Sequence, residues 1–428
     1  MLTAIPAFFG TIFSIRRLFS KKGDFGFISE EFFSKDFVGK GICDIGGFGV
    51  TAKVISGYYN KDKSKDIHAS IILLKELPVD MGWHNDFDGS TVYSIPHVDA
   101  GYSRNFLRYS YSTNRNLRFL ISIDMFSYYE YPLNAMPNMP LIIWIRDPKG
   151  EVELSKIGTI ECEITANDMD HPEELCSYAR EEREFFRKVH DKSRLFQRSI
   201  IFAFNAKYLI PRAKRLYGLT EINPVFLPNP IYYPDYSKIK KSVKPTVCLL
   251  GRIDPVKRPW IFFELAKRFK DVDFLVCGQP SYPEIMNPII EKYKSVENLK
   301  FVGVVDGEQK ADMLSKLWVL VNTSIHEGLP CTFLEAFAYG TPVLSSVNPD
   351  DLVSQFGIYT GDNPGDGLDD KTLGEFQVGL ETLLSDKAKL KKLGDEAREH
   401  VEKIYNFENF EKRLKDIVSN GFKKNYSL

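Results

Sequence analysis

Short, unbroken apolar runs, each set off by helical or turn-forming stretches, recur along this chain in two series. The first comprises residues 25–29, 70–74, 118–123, 141–145, 199–204 and 224–227, and the second 246–250, 273–277, 300–304, 318–322 and 342–345. Runs of this length without polar alternation suit parallel strands covered on both faces. Helical patterns at 50–59 and 172–192 follow runs of the first series, and patterns at 258–269, 284–294, 308–316, 331–339, 371–386 and 387–405 belong to the second. Such alternation predicts two doubly wound, Rossmann-like α/β domains, and 428 residues are enough to give each a full core. Between the series, PNPIYYPDYSKIKKSVKP at 228–245 has no apolar period and reads as an interdomain linker. Ligands of such sheets bind beyond the carboxyl ends of the strands, so two domains place a cleft between them.

Composition narrows the partners. A net charge of -1 leaves no global basic field, so nucleic acid is not expected. The six cysteines form no CxxC pair and several lie in apolar runs, which favours free thiols in a reducing, cytoplasmic compartment. Residues 2–15 are apolar and are followed by Arg16, Arg17, Lys21 and Lys22. The stretch is too short to span a bilayer and lacks the charged start and small-residue cleavage site of a signal peptide. Leu2, Ile5, Phe9, Ile12 and Phe13 fall at helical spacing. Residues 1–23 are therefore read as an amphipathic helix, which either touches a membrane face peripherally through residues 2–22 or packs on the protein itself.

The most informative local signal runs from Ser324 to Pro342, SIHEGLPCTFLEAFAYGTP, and reads strand, tight turn, helix, glycine stop. Gly340 suits the position just past a helix, and Pro342 blocks continuation. Glu335 is the only formal charge between Gly328 and Ser346, so it is expected to face a cleft and accept hydrogen bonds from a ligand. Glu327 precedes the helix in its entry loop, where a solvated loop acid is the competing reading. The backbone at Gly328, Leu329, Pro330 and Cys331 lies at the helix start, where unpaired N–H groups and the helix dipole favour phosphate. A second signal, GRIDPVKRP at 251–259, follows the first strand of the second series directly. There Gly251 begins the ligand loop, and Arg252 and Lys257 can bring two positive charges to a diphosphate, or else are plain surface cations.

Arg252 and Lys257, followed by Glu327-x7-Glu335 within EGLP and EAFAYGTP, resemble family 4 of the retaining glycosyltransferases, which have the GT-B fold. The resemblance is strong over residues 246–346 and fainter over 24–230. It implies an acceptor-binding domain at 24–232, a linker at 233–245, a nucleotide-sugar-binding domain at 246–405, and a helix in 406–428 that returns to the first domain. By resemblance, Arg252, Lys257 and Glu327 are the catalytic set: the two cations neutralise the donor diphosphate and leaving nucleotide, and Glu327 sits by the donor sugar and phosphate. Glu335 would bind the ribose hydroxyls, the backbone at Gly328, Leu329 and Pro330 would line sugar and phosphate, and that near Val304 and Val305 would meet the base. Gly278 would leave room for the nucleotide. Gly46, Gly47 and Gly49 occupy the place of the family's glycine-rich loop against the donor, where glycine permits close backbone approach, though a plain loop reads the same.

One departure stands out. Where the family carries a histidine at the end of a strand, this chain has Arg146 and Asp147. Arginine cannot act as a base, but it can bind a phosphate or an anionic acceptor; a structural Arg–Asp pair is the alternative. Phe226-Leu227-Pro228-Asn229-Pro230 resembles a family turn with Pro230 in place of glycine. DxD triplets at Asp86–Asp88, Asp168–Asp170 and Asp271–Asp273 are scattered, and His84, His97 and His326 lack ligand spacing and read as structural. No metal and no cofactor is therefore expected. The expected reaction is metal-independent, retaining transfer of a sugar from a nucleoside diphosphate sugar to a glycan, lipid or small-molecule acceptor. A phosphorylase or epimerase on the same fold, or a non-catalytic carbohydrate- or nucleotide-binding protein, are the rival readings.

Overall fold

The computed structural model describes residues 24–29, 47–61, 67–73, 83–87, 90–94, 117–160 and 172–422. The expected amphipathic helix at 1–23, with its membrane contact at 2–22, lies outside the described residues, as do Gly46 and Asp168–Asp170. Among the described residues no helix is long and apolar enough to cross a membrane.

The N-terminal domain contains β1 (Asp24–Ser29), α1 (Gly47–Lys61), β2 (Ala69–Leu73), β3 (Trp83–Phe87), β4 (Ser90–Ser94), β5 (Leu117–Ile123), α2 (Glu130–Ala135), β6 (Leu141–Ile145), α3 (Glu151–Ile157), α4 (Pro172–Leu195), β7 (Ile200–Phe204), α5 (Ile210–Tyr217) and β8 (Val225–Phe226). Its eight strands lie in the order β3-β4-β2-β1-β5-β6-β7-β8. All pairings are parallel except β3 with β4. The strands β3 (WHNDF) and β4 (STVYS) carry no continuous apolar run and so leave no strand signal in the sequence; β3 forms the sheet edge. By contrast β6 and β7 are buried at every position, which is what their unbroken apolar sequences require.

The C-terminal domain contains β9 (Thr246–Leu250), α6 (Pro259–Arg268), β10 (Asp273–Cys277), α7 (Pro283–Tyr293), β11 (Leu299–Phe301), α8 (Gly307–Lys316), β12 (Val319–Asn322), α9 (Cys331–Ala338), β13 (Val343–Ser345), α10 (Leu352–Phe356), β14 (Gly357–Tyr359), α11 (Asp370–Ser385) and α12 (Lys387–Ile404). Its six strands are all parallel, in the order β11-β10-β9-β12-β13-β14. Numbered within the domain this is 3-2-1-4-5-6, the Rossmann order, so the strand sequence reverses between β9 and β12. Chains leaving those two neighbouring strands diverge to opposite faces and open a crevice.

The segment joining the domains is fastened rather than loose. Tyr233 donates its hydroxyl to the Val401 carbonyl at 2.7 Å, and Arg398 Nη2 donates to the Pro234 carbonyl at 2.9 Å. Lys241 Nζ donates to the Tyr339 carbonyl at 2.9 Å, covering the last turn of α9. Beyond α12, helix α13 (Phe407–Asp416) lies on the N-terminal sheet. Its Phe410 and Leu414, with Ile417 just beyond it, share one buried cluster with Phe25, Phe119 and Trp144, and the Phe410 ring centroid is 5.8 Å from that of Trp144. This helix thus covers part of the N-terminal sheet. Phe410→Ala is expected to cost about 3–5 kcal/mol through lost burial and the cavity left behind. Chemical denaturation would show this as a lower midpoint at unchanged slope; a shift under about 1 kcal/mol, close to the size of a surface effect, would mean that α13 contributes little to the N-terminal core.

Candidate active site

The site grows out of the reversal between β9 and β12. After β9, Gly251 and Arg252 lead to Asp254, whose side chain accepts the Lys257 backbone N–H at 3.1 Å and caps a single 3-10 turn. Arg258 closes that turn with φ +44°. Its side chain is fully buried and donates to the carbonyls of Thr323 at 2.9 Å, Asn363 at 2.8 Å and Gly365 at 3.0 Å, and to Ser346 Oγ at 3.2 Å. Thr323 Oγ1 in turn donates to the Lys257 carbonyl at 2.6 Å. The backbone of Lys257 is therefore held from two strand ends, and only its side chain projects into the cleft.

Lys257 Nζ meets Glu327 Oε1 at 2.6 Å. The same oxygen accepts from Ser324 Oγ at 2.7 Å and Asn322 Nδ2 at 3.1 Å. Burial would raise the Glu327 carboxyl, but Lys257 and these two donors outweigh it and hold the group below its ordinary value. The main-chain carbonyl of Glu327 accepts from Tyr208 Oη at 2.8 Å and Arg212 Nη1 at 3.0 Å, both from the N-terminal domain. The loop is thus gripped from across the cleft. At Gly328 the two domains pack tightly: a Cβ there would overlap the Arg146 carbonyl oxygen.

Pro330 stands at the N-cap of α9, and no acidic side chain occupies the first turn. At its other end, Gly340 adopts φ +61°. There the N–H groups of Gly340 and Thr341 return to the carbonyls of Phe337 and Ala336, both at 2.9 Å, a Schellman closure that the glycine makes possible. Glu335, one turn before this end, accepts from Lys310 Nζ of α8 at 2.7 Å, and its Oε2 is buried with no partner. Burial would lower the Lys310 ammonium, but Glu335 reverses the effect and the net shift is upward. An unpaired buried carboxylate oxygen facing a cleft is an acceptor awaiting a donor.

These groups line one cavity of about 470 Å³, within the range of small-molecule sites. Arg252, Lys257, Glu327 and Glu335 all reach it, as do Gly47, Gly251, Gly278, Val304, Val305, Gly328, Leu329 and Pro330. Gly49 does not. Helix α1 begins at Gly47, three residues earlier than the sequence reading placed it, which leaves Gly47 at the cavity and buries Gly49 in the first turn. At Gly278 a side chain would meet the Gly251 carbonyl, so the glycine lets two strand-end loops pack against each other.

On the N-terminal wall, Asp124 at the end of β5 has φ 53° and accepts the backbone N–H of Arg146 at 2.9 Å and of Asp147 at 2.8 Å. It fixes the start of the loop after β6. Asp147 is not paired with Arg146. Its carboxylate lies 2.7 Å from His326 Nε2 and 3.2 Å from Lys149 Nζ. Burial would raise Asp147, yet Lys149 and His326 outweigh it and hold the carboxyl well below its ordinary value. The structural Arg–Asp pair is therefore replaced by an Asp–His contact across the cleft, and His326, read from sequence as an ordinary structural histidine, lines the site. Lys149, Lys310 and Asn322 also line the site, as does Ser324 at the start of the motif. Their signal was present only as proximity to the motifs, since Asn322 and Ser324 precede Glu327 by five and three residues.

Burial pushes Asp124 up to about 7, against the two N–H groups that favour its charged form. The native state then retains a proton that the unfolded chain loses above about pH 4. The stability this group confers is complete at low pH and falls as pH rises from about 4 through 7. Asp124→Asn is expected to flatten that part of the melting-temperature profile. An unchanged slope between pH 4 and 7 would show that the backbone N–H groups keep Asp124 ionised throughout.

Comparison with known proteins agrees with this architecture. Residues 237–400 match the family model for glycosyl transferases group 1. A search of curated proteins finds no match. Among solved structures, Alr3699/HepE of Anabaena in complex with UDP and glucose superposes with a TM-score of 0.64 at 12% identity, over 93% of this chain and 99% of that one. Sucrose-phosphate synthase from Thermosynechococcus elongatus gives 0.66 at 14% identity, over 94% of this chain and 100% of that one. WaaG, a glycosyltransferase involved in lipopolysaccharide biosynthesis, gives 0.58 at 14% identity, over 93% and 100%. The molecule thus has the GT-B fold, and residues 237–400, most of its C-terminal domain, are similar to the group 1 glycosyl transferases.

Proposed function

We propose that this protein transfers a sugar from a nucleoside diphosphate sugar to an acceptor hydroxyl, with retention at the anomeric carbon and without a metal ion. The observation that carries the reading is the convergence of Arg252, Lys257, Glu327, Glu335 and the start of α9 on one cavity at the strand-order reversal. Breaking the anomeric C–O bond leaves negative charge on the departing diphosphate. Two cations and a helix N-terminus stabilise that charge where it develops, with no reorganisation during the reaction. The unpartnered Glu335 Oε2 is suited to accept from a ribose hydroxyl. Glu327, neutralised by Lys257, orients that lysine and stands beside the sugar. HepE is solved with UDP-glucose, which supports a uridine donor here. Retention rests on the resemblance to family 4.

The test is a screen of UDP-, GDP- and ADP-sugars by thermal shift, followed by an assay for released nucleoside diphosphate with and without EDTA. A rise in melting temperature with one base, and turnover that survives chelation, are the expected results. Failure of every donor to bind would overturn the reading, and proton NMR of the product's anomeric centre decides retention.

A further inference from the structure

Arg146 is only 3% exposed, yet it lines the cleft. Its guanidinium carbon is 4.7 Å from the centroid of the Trp144 ring and 5.6 Å from that of Phe48. The two aromatic rings hold the group in place. Around its edge, Nη2 has one partner, Cys331 Sγ at 3.4 Å, and a thiol is a weak acceptor. Among the described residues, Nε and Nη1 are buried with no acceptor. The nearest acid in sequence, Asp147, is taken up by His326 and Lys149, and among the described residues no carboxylate forms an ion pair with Arg146.

A buried cation that cannot shed its proton is costly without a counter-ion. The surroundings deepen the imbalance. Helices α1 and α9 both begin beside this residue, neither with an acid in its first turn, and Thr51 Oγ1 and Cys331 Sγ tie them together at 3.4 Å. Asn229 Nδ2 also points at that sulfur, at 3.8 Å. Positive charge, two helix starts and an amide donor therefore face one spot, and among the described residues no carboxylate is paired with the guanidinium. A neutral hydroxyl would satisfy geometry but not charge. The donor diphosphate has its own cations, Arg252 and Lys257, on the opposite domain.

We propose that Arg146 receives an oxyanion borne by the acceptor, so that the acceptor is an acidic or phosphorylated hydroxyl compound and not a neutral glycan. The proposal rests on the transfer reading above. An oxyanion would displace the thiol and engage the guanidinium edge in a bidentate pair.

The test titrates the full-length protein by calorimetry with UDP held at saturation, so that the diphosphate site is filled. Inorganic phosphate and acetate are the probes, and glycerol is the neutral control. Binding of at least one oxyanion, weakened about tenfold or more in Arg146→Gln and less in Arg146→Lys, is the expected result. The phosphate and acetate arms show which oxyanion the acceptor carries. Absence of binding by both to the wild type, or equal binding by Arg146→Gln, overturns the proposal while leaving donor binding intact. If UDP itself fails to bind, the transfer reading fails and this one falls with it. A transfer assay with glucose 6-phosphate, glucuronate and methyl glucoside adds a catalytic readout: preference for a charged acceptor supports the proposal, and preference for the neutral glucoside overturns it.

Discussion

Lys257→Ala is expected to lower kcat by about 10²–10³-fold while the protein still folds. The lysine is the cation set deepest beside Glu327, at 2.6 Å, and its backbone is fixed independently of its ammonium. Removing the ammonium removes stabilisation of a charge that appears only as the diphosphate leaves, so kcat falls more than KM rises. Glu327 keeps Ser324 and Asn322 as partners in the variant, which is why the loop survives. Glu327→Ala should fall to a similar level, and the double variant little further, because the two act as one unit. Steady-state kinetics with calorimetric nucleotide binding checks this. Turnover within threefold of the parent in both single variants would remove Lys257 and Glu327 from the chemistry.

Arg258→Met is expected to destabilise the C-terminal domain by at least about 3 kcal/mol. Two effects oppose each other. Burial lowers the Arg258 guanidinium to about 10, a sign that its charge is held there at a cost, and methionine relieves that cost. However, the carbonyls of Thr323, Asn363 and Gly365 lose their donor, and each buried orphan costs about 1–3 kcal/mol. Three orphans outweigh one relieved cation. Because Thr323 also holds the Lys257 carbonyl, activity should fall with stability. Arg258→Gly separates side chain from backbone: it relaxes the left-handed φ of +44°, and should recover about 1–2 kcal/mol relative to alanine there. Equal melting temperatures for Arg258→Met and the parent would show that the hydrogen bonds contribute nothing net.

The two cations differ in how readable they were. Lys257 stood out because it follows a strand directly, where a Rossmann-like domain keeps its ligand loop. The sequence assigns no role to Arg258, one residue on, and only the enclosing carbonyls of two distant segments reveal it as fully buried. His326 illustrates the same limit from the other side. Its neighbours in sequence gave it no ligand spacing, but its partner Asp147 lies 179 residues away on the other domain. A contact across a cleft has no periodic signature along the chain. Gly49 shows a smaller failure: a helix start misplaced by one turn moves a residue from the ligand to the core, since side-chain direction changes by about 100° per residue.

The two α/β domains were legible in the chain, because unbroken apolar runs set between helical stretches suit interior parallel strands, and so was the C-terminal wall of the cavity, because its residues sit close together around consecutive strand ends. The N-terminal wall of the cavity was settled by the fold: that Asp147 pairs with His326, and that Arg146 is left buried with no ion-pair partner among the described residues. The reason is range. Strand burial and capping act over a few residues and leave a pattern in the chain, whereas charge compensation across a cleft depends on which distant groups the fold brings within a few ångströms.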